Sequence, residues 1–396
     1  MSIATYFQSN PKVYGINGTD RIFYRVVLQD SIFQQFPYAE CILSDRTGEV
    51  INAIGYTDQL DVDIGLEVLS DNVTFSKLLH PFYIREQQLL SPDIANFIAP
   101  NIKYLCTSKY KKDDSVKSKS YQGNLSEVIS GGLSDFIFDS TRITATANID
   151  YYYQPEISFF DFIQNNIDEA YSLTYPTSPY VSFINLAKQF HFAALKDLIS
   201  VNLGVIPEFH LKVDDTKIFD EKLIRNLNGG YIGLDFTKSN LELFNIDDTM
   251  SIVKETKLAS DMLPGAGLEK FLFRKSNTDK KRFIANYGLE QDSTDDKSNF
   301  KKGWLNSQYL NTYFPNRLNI MVQYPYLDQI VSGKNVKLSI DSLNQQKPVS
   351  KFFSGEWLIL ESKHIKDQKD NLFSYLLIGK NTSGIDDAHI FKADYL

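Results

Sequence analysis

The residues of this chain that could do chemistry are five histidines, two cysteines and a few acidic pairs, and their spacing argues against most of it. His80, His191, His210, His364 and His389 include no two at the three- or four-residue interval that sets paired imidazoles on one helix face over a metal. There is no HExxH and no Cys/His cluster, so the sequence offers no zinc site. Glu208 and His210 share one face of an extended segment, as do Asp61 and Asp63. Paired carboxylates can act as general acid and base, yet polar residues at alternate strand positions ordinarily form the solvated side of a sheet. Gly265-Ala266-Gly267 lacks the third glycine of a dinucleotide fingerprint. Gly333-Lys334-Asn335 and Gly379-Lys380-Asn381 lack the upstream glycine and following hydroxyl of a phosphate loop. A G-x-S-x-G nucleophile elbow is also missing. No catalytic, cofactor-binding or metal residue is therefore assigned. Trp304, Trp357 and Tyr151-Tyr152-Tyr153 could stack on a sugar, although packing in a core or between subunits is the commoner use of such rings. Cys41 and Cys106 are too few for a disulfide scaffold and have no CxxC partner, which reads as two free thiols in a reducing compartment.

The elements that must carry these residues are mostly strands. Of 396 residues 13% are aromatic, with 28 Phe and 23 Tyr, and such side chains fit a pleated, half-buried surface. That length suits two or three domains. The net charge of -8 disfavours a dedicated nucleic-acid binder and serves solubility. The N-terminus has no basic segment followed by an apolar core, and no apolar run has the length of a membrane span, so neither a signal peptide nor a membrane anchor is expected.

Strands are predicted at Arg21–Leu28, Glu49–Tyr56 and Pro207–Val213, and most clearly at Asp61–Val68, whose even positions are all apolar. Lys109–Lys119 reads as a mobile, solvated loop at a domain junction. Tyr121–Leu133 reads as a short helix with Asn124 as cap, Glu127 completing a capping box and Gly131 in the left-handed C-terminal position. A second helix is predicted after Ser178-Pro179, with Val181, Ile184 and Ala187 at helical spacing, and Phe192–Ile199 is read as a strand over a helix. From Leu227 to Asn311 the texture is irregular, with loops and a few helices expected.

Near the C-terminus, Gly333 makes a turn and Val336, Leu338 and Ile340 then alternate with Lys337 and Ser339. Ser354-Gly355-Glu356-Trp357-Leu358-Ile359 leads to His364, with Trp357, Ile359 and the stem of Glu361 on one side. Lys366–Asn371 is too polar to be buried, and Leu372–Ile378, with Tyr375, runs back as the second arm of a hairpin. This order of glycine-led strand, Ser-Gly-x-aromatic-x-Ile, His, polar turn and Tyr-bearing strand ending Ile378-Gly379-Lys380-Asn381 resembles the end of the barrel in baseplate hub proteins of contractile-tailed phages. The same hub fold occurs in type VI secretion spike proteins. Gly123-Asn124-Leu125-Ser126-Glu127-Val128-Ile129 is similar to the helical step after the first hub barrel, and the Tyr175–Pro179 loop to the Pro-rich loop before a hub helix.

The resemblance implies a β-dominated α+β fold, with two small tube-type β-barrel domains and a mixed helical and irregular insertion between them. The boundaries expected are 1–120 for the first barrel, 121–200 for a helix-containing connection, 201–245 with 305–381 for the second barrel, 246–304 for an insertion with mobile loops, and 382–396 for a tail. It implies a homotrimeric structural protein of the virion tail baseplate, assembled in the host cytoplasm without turnover, cofactor or membrane. Its partners would be the tail tube protein, the central spike protein and neighbouring baseplate proteins, with DNA only as transiting genome. Gly333, Ser354, Gly355, Trp357, His364 and Tyr375 would be structural residues of the barrel hairpin. The alternatives are a glycan-binding or cell-wall-hydrolysing tail protein and another tail adaptor or completion protein.

Overall fold

The computed structural model describes residues 2–10, 23–44, 60–70, 73–90, 101–147, 149–170, 172–174, 178–200, 206–212, 224–226, 231–235, 316–340, 355–367, 369 and 371–380. In chain order the first strands are β1 (Ser2–Asn10), β2 (Phe23–Ser31), β3 (Tyr38–Ser44), β4 (Asp61–Ser70), β5 (Val73–Leu90) and β6 (Asn101–Ser108). A mixed segment follows, with α1 (Lys109–Asp113), β7 (Lys117–Asn124), α2 (Leu125–Gly132), β8 (Ser140–Ile143), β9 (Ile149–Ile157), α3 (Phe159–Asn166), β10 (Tyr180–Ile184), β11 (Gln189–Ala194) and α4 (Leu195–Ser200). The last strands are β12 (Glu208–Lys212), β13 (Ile224–Asn226), β14 (Tyr231–Asp235), β15 (Asn316–Val322), β16 (Asn335–Ile340), β17 (Gly355–Lys366) and β18 (Leu372–Lys380).

The β-dominated α+β class is what the structure shows. Among the described residues one sheet of thirteen strands runs β1-β4-β5-β6-β3-β2-β17-β16-β12-β13-β14-β15-β18, and a further pairing of β17 with β18 closes its second part into a ring. The first part, β1 to β2, is an open, curled sheet among the described residues. β17 belongs to both. Its first half pairs with β16 and its second half with β2, while β18 lies along its other edge. A β-bulge between Ile359 and Glu361 marks the change of partner, and there the Ile32 N–H donates to Leu360 O at 2.9 Å.

Alternation explains the strands that face one core. In β4, Val62, Ile64, Leu66 and Val68 are all within 1% of full burial, each contributing on the order of 1.5–3 kcal/mol by removal from water. Gly65, between them, allows close pairing with β5, since a Cβ there would lie 2.3 Å from Leu78 O. β12 and β18 fall where the sequence places them. β2 covers most of the strand predicted at Arg21–Leu28, and Glu49–Tyr56 lies outside the described residues.

Five expectations are corrected. The segment after Ser178-Pro179 is the strand β10, antiparallel to β11, and not a helix. All five of its residues are buried, so both faces are covered and no strand alternation is left to read. The adjoining Phe192–Ile199 is divided, ending β11 at Ala194 and beginning α4 at Leu195. Lys109–Lys119 is not a loop: it forms α1 and the start of β7. Lys112 and Lys109 hold Asp61 at 2.6 and 3.7 Å, and the Asp114 carboxylate accepts the Phe159 and Phe160 N–H groups at 2.8 Å each, capping α3. In the capped helix the Glu127 carboxylate does accept the Asn124 N–H, at 3.4 Å. Gly131 is not left-handed, however, for α2 runs through Gly132 into a 3-10 turn at Leu133–Asp135 and the positive φ belongs to Gly123. In the C-terminal hairpin Lys366 is buried, because β17 continues past His364 between Val26 and Leu372. The bulge turns Ser362, His364 and Lys366 inward in place of Glu361.

Two cores result. One fills the large sheet and includes Phe7, Phe82, Tyr104, Phe209 and Trp357. The other lies in the mixed segment and is dominated by Phe159, Phe160, Phe162, Tyr180, Phe190 and Phe192. Among the described residues, most of the aromatic rings belong to these interiors or pack against them. The tyrosine trio is divided, with Tyr152 buried and Tyr151 and Tyr153 exposed.

Candidate functional site

The polar centre of the molecule is a buried junction at which β2, the β10–β11 turn, the loop before β16, and β17 with β18 meet. Asp30, near the end of β2, is fully buried. One of its carboxylate oxygens accepts the Ser332 N–H at 3.1 Å and the Ser362 hydroxyl at 2.6 Å, and the other accepts the Leu186 N–H at 2.8 Å. Burial pushes its pKa up from 3.8 to about 6, against the pull of those three donors. Because the one Ser362 proton is committed to Asp30, the contact of Ser362 with His364 Nε2 at 3.4 Å has the imidazole donating. His364 Nδ1 then accepts from the Ser374 hydroxyl at 2.8 Å. The ring is neutral, and burial holds its pKa down at about 3.

Beside this chain of hydrogen bonds Asn185 donates to Ser332 O at 3.2 Å and to Gln189 Oε1 at 3.0 Å, and receives the Gln189 N–H at 3.1 Å. The tight β10–β11 turn is thereby fastened to the loop that leads into β16. Gly333 in that loop has φ +81, and a Cβ there would lie 2.6 Å from Phe183 Cζ. Phe183 cannot readily yield, since it is stacked on His191 with ring centroids 4.5 Å apart. Gly333→Ala is expected to lower unfolding free energy by about 2–4 kcal/mol through strain and overpacking. A denaturant midpoint unchanged from that of the parent would contradict this.

Asp30, Ser362 and His364 are the three residue types of a hydrolytic triad but not its arrangement. The carboxylate holds the serine and not the imidazole, and all three are fully buried. What the group can do is fix the relative positions of four segments. Among the described residues, no group of three or more His, Cys, Asp or Glu is placed to hold a metal ion.

Of the hairpin residues read from sequence, Gly355 opens β17 with φ +114, Trp357 packs in the large core, and His364 lies in the junction. Tyr375 is 45% exposed on β18, and Ser354 lies outside the described residues. The structure thus brings Gly333 and His364 to the junction and leaves Tyr375 at the surface. His80 is buried, its Nε2 hydrogen-bonded with the Ser108 hydroxyl at 2.8 Å, while His389, Trp304 and the side chain of His210 lie outside the described residues. Glu208 forms an exposed ion pair with Lys337 at 3.1 Å. Cys41 and Cys106 are free and buried, with burial raising both thiol pKa values, which makes them poor nucleophiles. Asp30, Ser332 and Ser362 were not among the residues singled out from the sequence. The only local sign is an aspartate closing the apolar run Val26-Val27-Leu28.

No family model matches the chain, and no curated protein does. Among solved structures, the 43 kDa tail protein of prophage MuSo2 from Shewanella oneidensis is similar with a TM-score of 0.52 at 8% identity, over 96% of this chain and 99% of that one. A tail protein from Neisseria meningitidis gives a TM-score of 0.48 at 9% identity, over 97% and 99%. An Escherichia coli component of the type VI secretion system gives 0.45 at 9% identity, over 94% and 77%. At these identities the likeness is one of fold, and the MuSo2 protein carries it. The chain has the fold of a phage tail protein, as the hairpin resemblance implied.

Proposed function

We propose that the chain is a structural hub of a phage tail baseplate, in which three copies form a ring that adapts a hexameric tail tube to a trimeric central spike. The observation that carries the reading is the similarity of the fold to a phage tail protein over nearly the whole of both chains. The construction of that fold suits the role. A closed strand ring and a curled sheet share β17; with one docking surface on each, three copies offer six. The mechanism is symmetry adaptation, with no turnover and no cofactor. The division that goes with it takes residues 1–120 as the first tube-type unit and 201–245 with 305–381 as the second, joined by 121–200. Residues 246–304 would be an insertion and 382–396 a tail. Gly333, Ser354, Gly355, Trp357, His364 and Tyr375 serve the second unit as structural residues. The location is the virion, after assembly in the host cytoplasm, with tube, spike and neighbouring baseplate proteins as partners and DNA only in transit.

Light scattering of the purified chain across a dilution series, alone and with the candidate spike protein of the same genome, tests this. The expected result is a mass three times that of the chain, either alone or on mixing. A monomer that ignores the spike at every concentration overturns it.

A further inference from the structure

Seven large hydrophobic side chains are exposed among the described residues, and Val116, Ile137, Leu173 and Tyr375 are scattered over separate elements. Ile149, Tyr151 and Tyr153 differ. They are 75%, 77% and 62% exposed and occupy alternate positions of β9, so they stand in a row on one face. Scattered apolar residues at a surface need no explanation, whereas a contiguous patch marks an interaction site. The row cannot turn inward, because Tyr152 and Gln154 are already buried on the other side.

Register places Asn124, Gln122 and Ser120 of β7 opposite the three, and the Gln122 amide donates to the Tyr151 hydroxyl at 3.0 Å. The resulting face bears no formal charge, on a chain whose net charge is -8. The edges of this two-stranded ribbon are defended. Asp150 takes the Tyr151 N–H at 2.7 Å, and β7 presents Lys117 and Lys119. Charged, locally satisfied edges deter the addition of another strand. Contact is left to the face.

We infer that this face is where a second copy of the chain docks, an inference that rests on the ring-forming reading above. Two copies with the same excess of negative charge repel across most of their surfaces, and contact through an uncharged patch desolvates no ion on this side and sets no like charge against the neighbour. Tyrosine with Ser, Asn and Gln is also the composition of protein-binding surfaces, since tyrosine gives a large contact area at low entropic cost. A stable interface takes about 800 Å² from each partner, so the row forms its centre and the polar residues of β7 its rim. In a ring closed by rotation the row meets a different surface of the neighbouring copy.

The test is the full-length double variant Tyr151→Glu/Tyr153→Glu, compared with Tyr151→Phe/Tyr153→Phe by light scattering across a dilution series. Two lost tyrosine anchors and two like charges are expected to raise the dissociation concentration at least ~100-fold, while the phenylalanine variant assembles as the parent does. A benzophenone side chain substituted at position 151 supplies an independent readout, with an irradiated product of twice the chain mass expected. Unchanged assembly of the glutamate variant, or no such product from an assembled sample, overturns the docking face and leaves the ring reading standing. A parent chain that stays monomeric at every concentration, both alone and with the candidate spike protein, removes both.

Discussion

Asp30→Ala is expected to cost about 3 kcal/mol of unfolding free energy at pH 7, and Asp30→Asn about 1 kcal/mol. Alanine leaves the Leu186 N–H, the Ser332 N–H and the Ser362 hydroxyl buried without their acceptor. Each unsatisfied donor costs about 1–3 kcal/mol. Part of that is returned, because a buried carboxylate with its pKa raised from 3.8 to about 6 is held ionised at neutral pH at a cost of about 3 kcal/mol, and alanine removes the cost. Asparagine carries no charge and keeps the oxygen that serves Ser332 and Ser362, losing only the acceptor for Leu186. Amide exchange separates the two variants. Both amides should exchange faster in the alanine variant, and only that of Leu186 in the asparagine variant. Denaturant midpoints equal to that of the parent in both would show that the junction does not hold the four segments together.

The reach of the sequence follows from which interactions are local. The β4 pattern and the returning arm β18 of the C-terminal hairpin could be read because one buried face against one wetter face leaves a period of two in the residues themselves. The Glu127 arm of the capping box could be read because its partner is three positions away. β10 could not, since burial on both faces erases the period and Ser178-Pro179 imitates a helix start. The inward turn of Ser362 and Lys366 depends on a bulge set by exchange of β16 for β2 as neighbour, which nothing near Leu360 announces. The junction was least legible of all. The partners of Asp30 are 156, 302 and 332 positions away, so only the closed topology brings them together.

That topology also buries three histidines among the described residues, and acid should therefore unfold the protein well above the carboxylate range. His80, His191 and His364 are held neutral, burial depressing each pKa from 6.5 to about 3. A depressed histidine pKa means that the unfolded chain binds the proton first. The stability from neutral burial is complete above pH 6.5 and is lost as pH falls towards 3. At pH 5 each histidine has forfeited about 2 kcal/mol, or about 6 kcal/mol for the three. Asp30 acts in the opposite sense. Its raised pKa lets the folded chain bind the proton first, so acidification through pH 6 returns about 1.4 kcal/mol by pH 5. The histidines win, and the net loss of about 4–5 kcal/mol is a large part of the 5–15 kcal/mol that holds a typical domain. The thermal midpoint should accordingly fall steeply between pH 6.5 and 5. His364→Gln, which cannot take up the proton, should remove about a third of the histidine contribution to that slope, whatever its effect on stability at pH 7. A midpoint that is flat from pH 7 to 5 would mean that the buried imidazoles find acceptors for a second proton when the pH drops, and that the interior is less closed than its burial indicates.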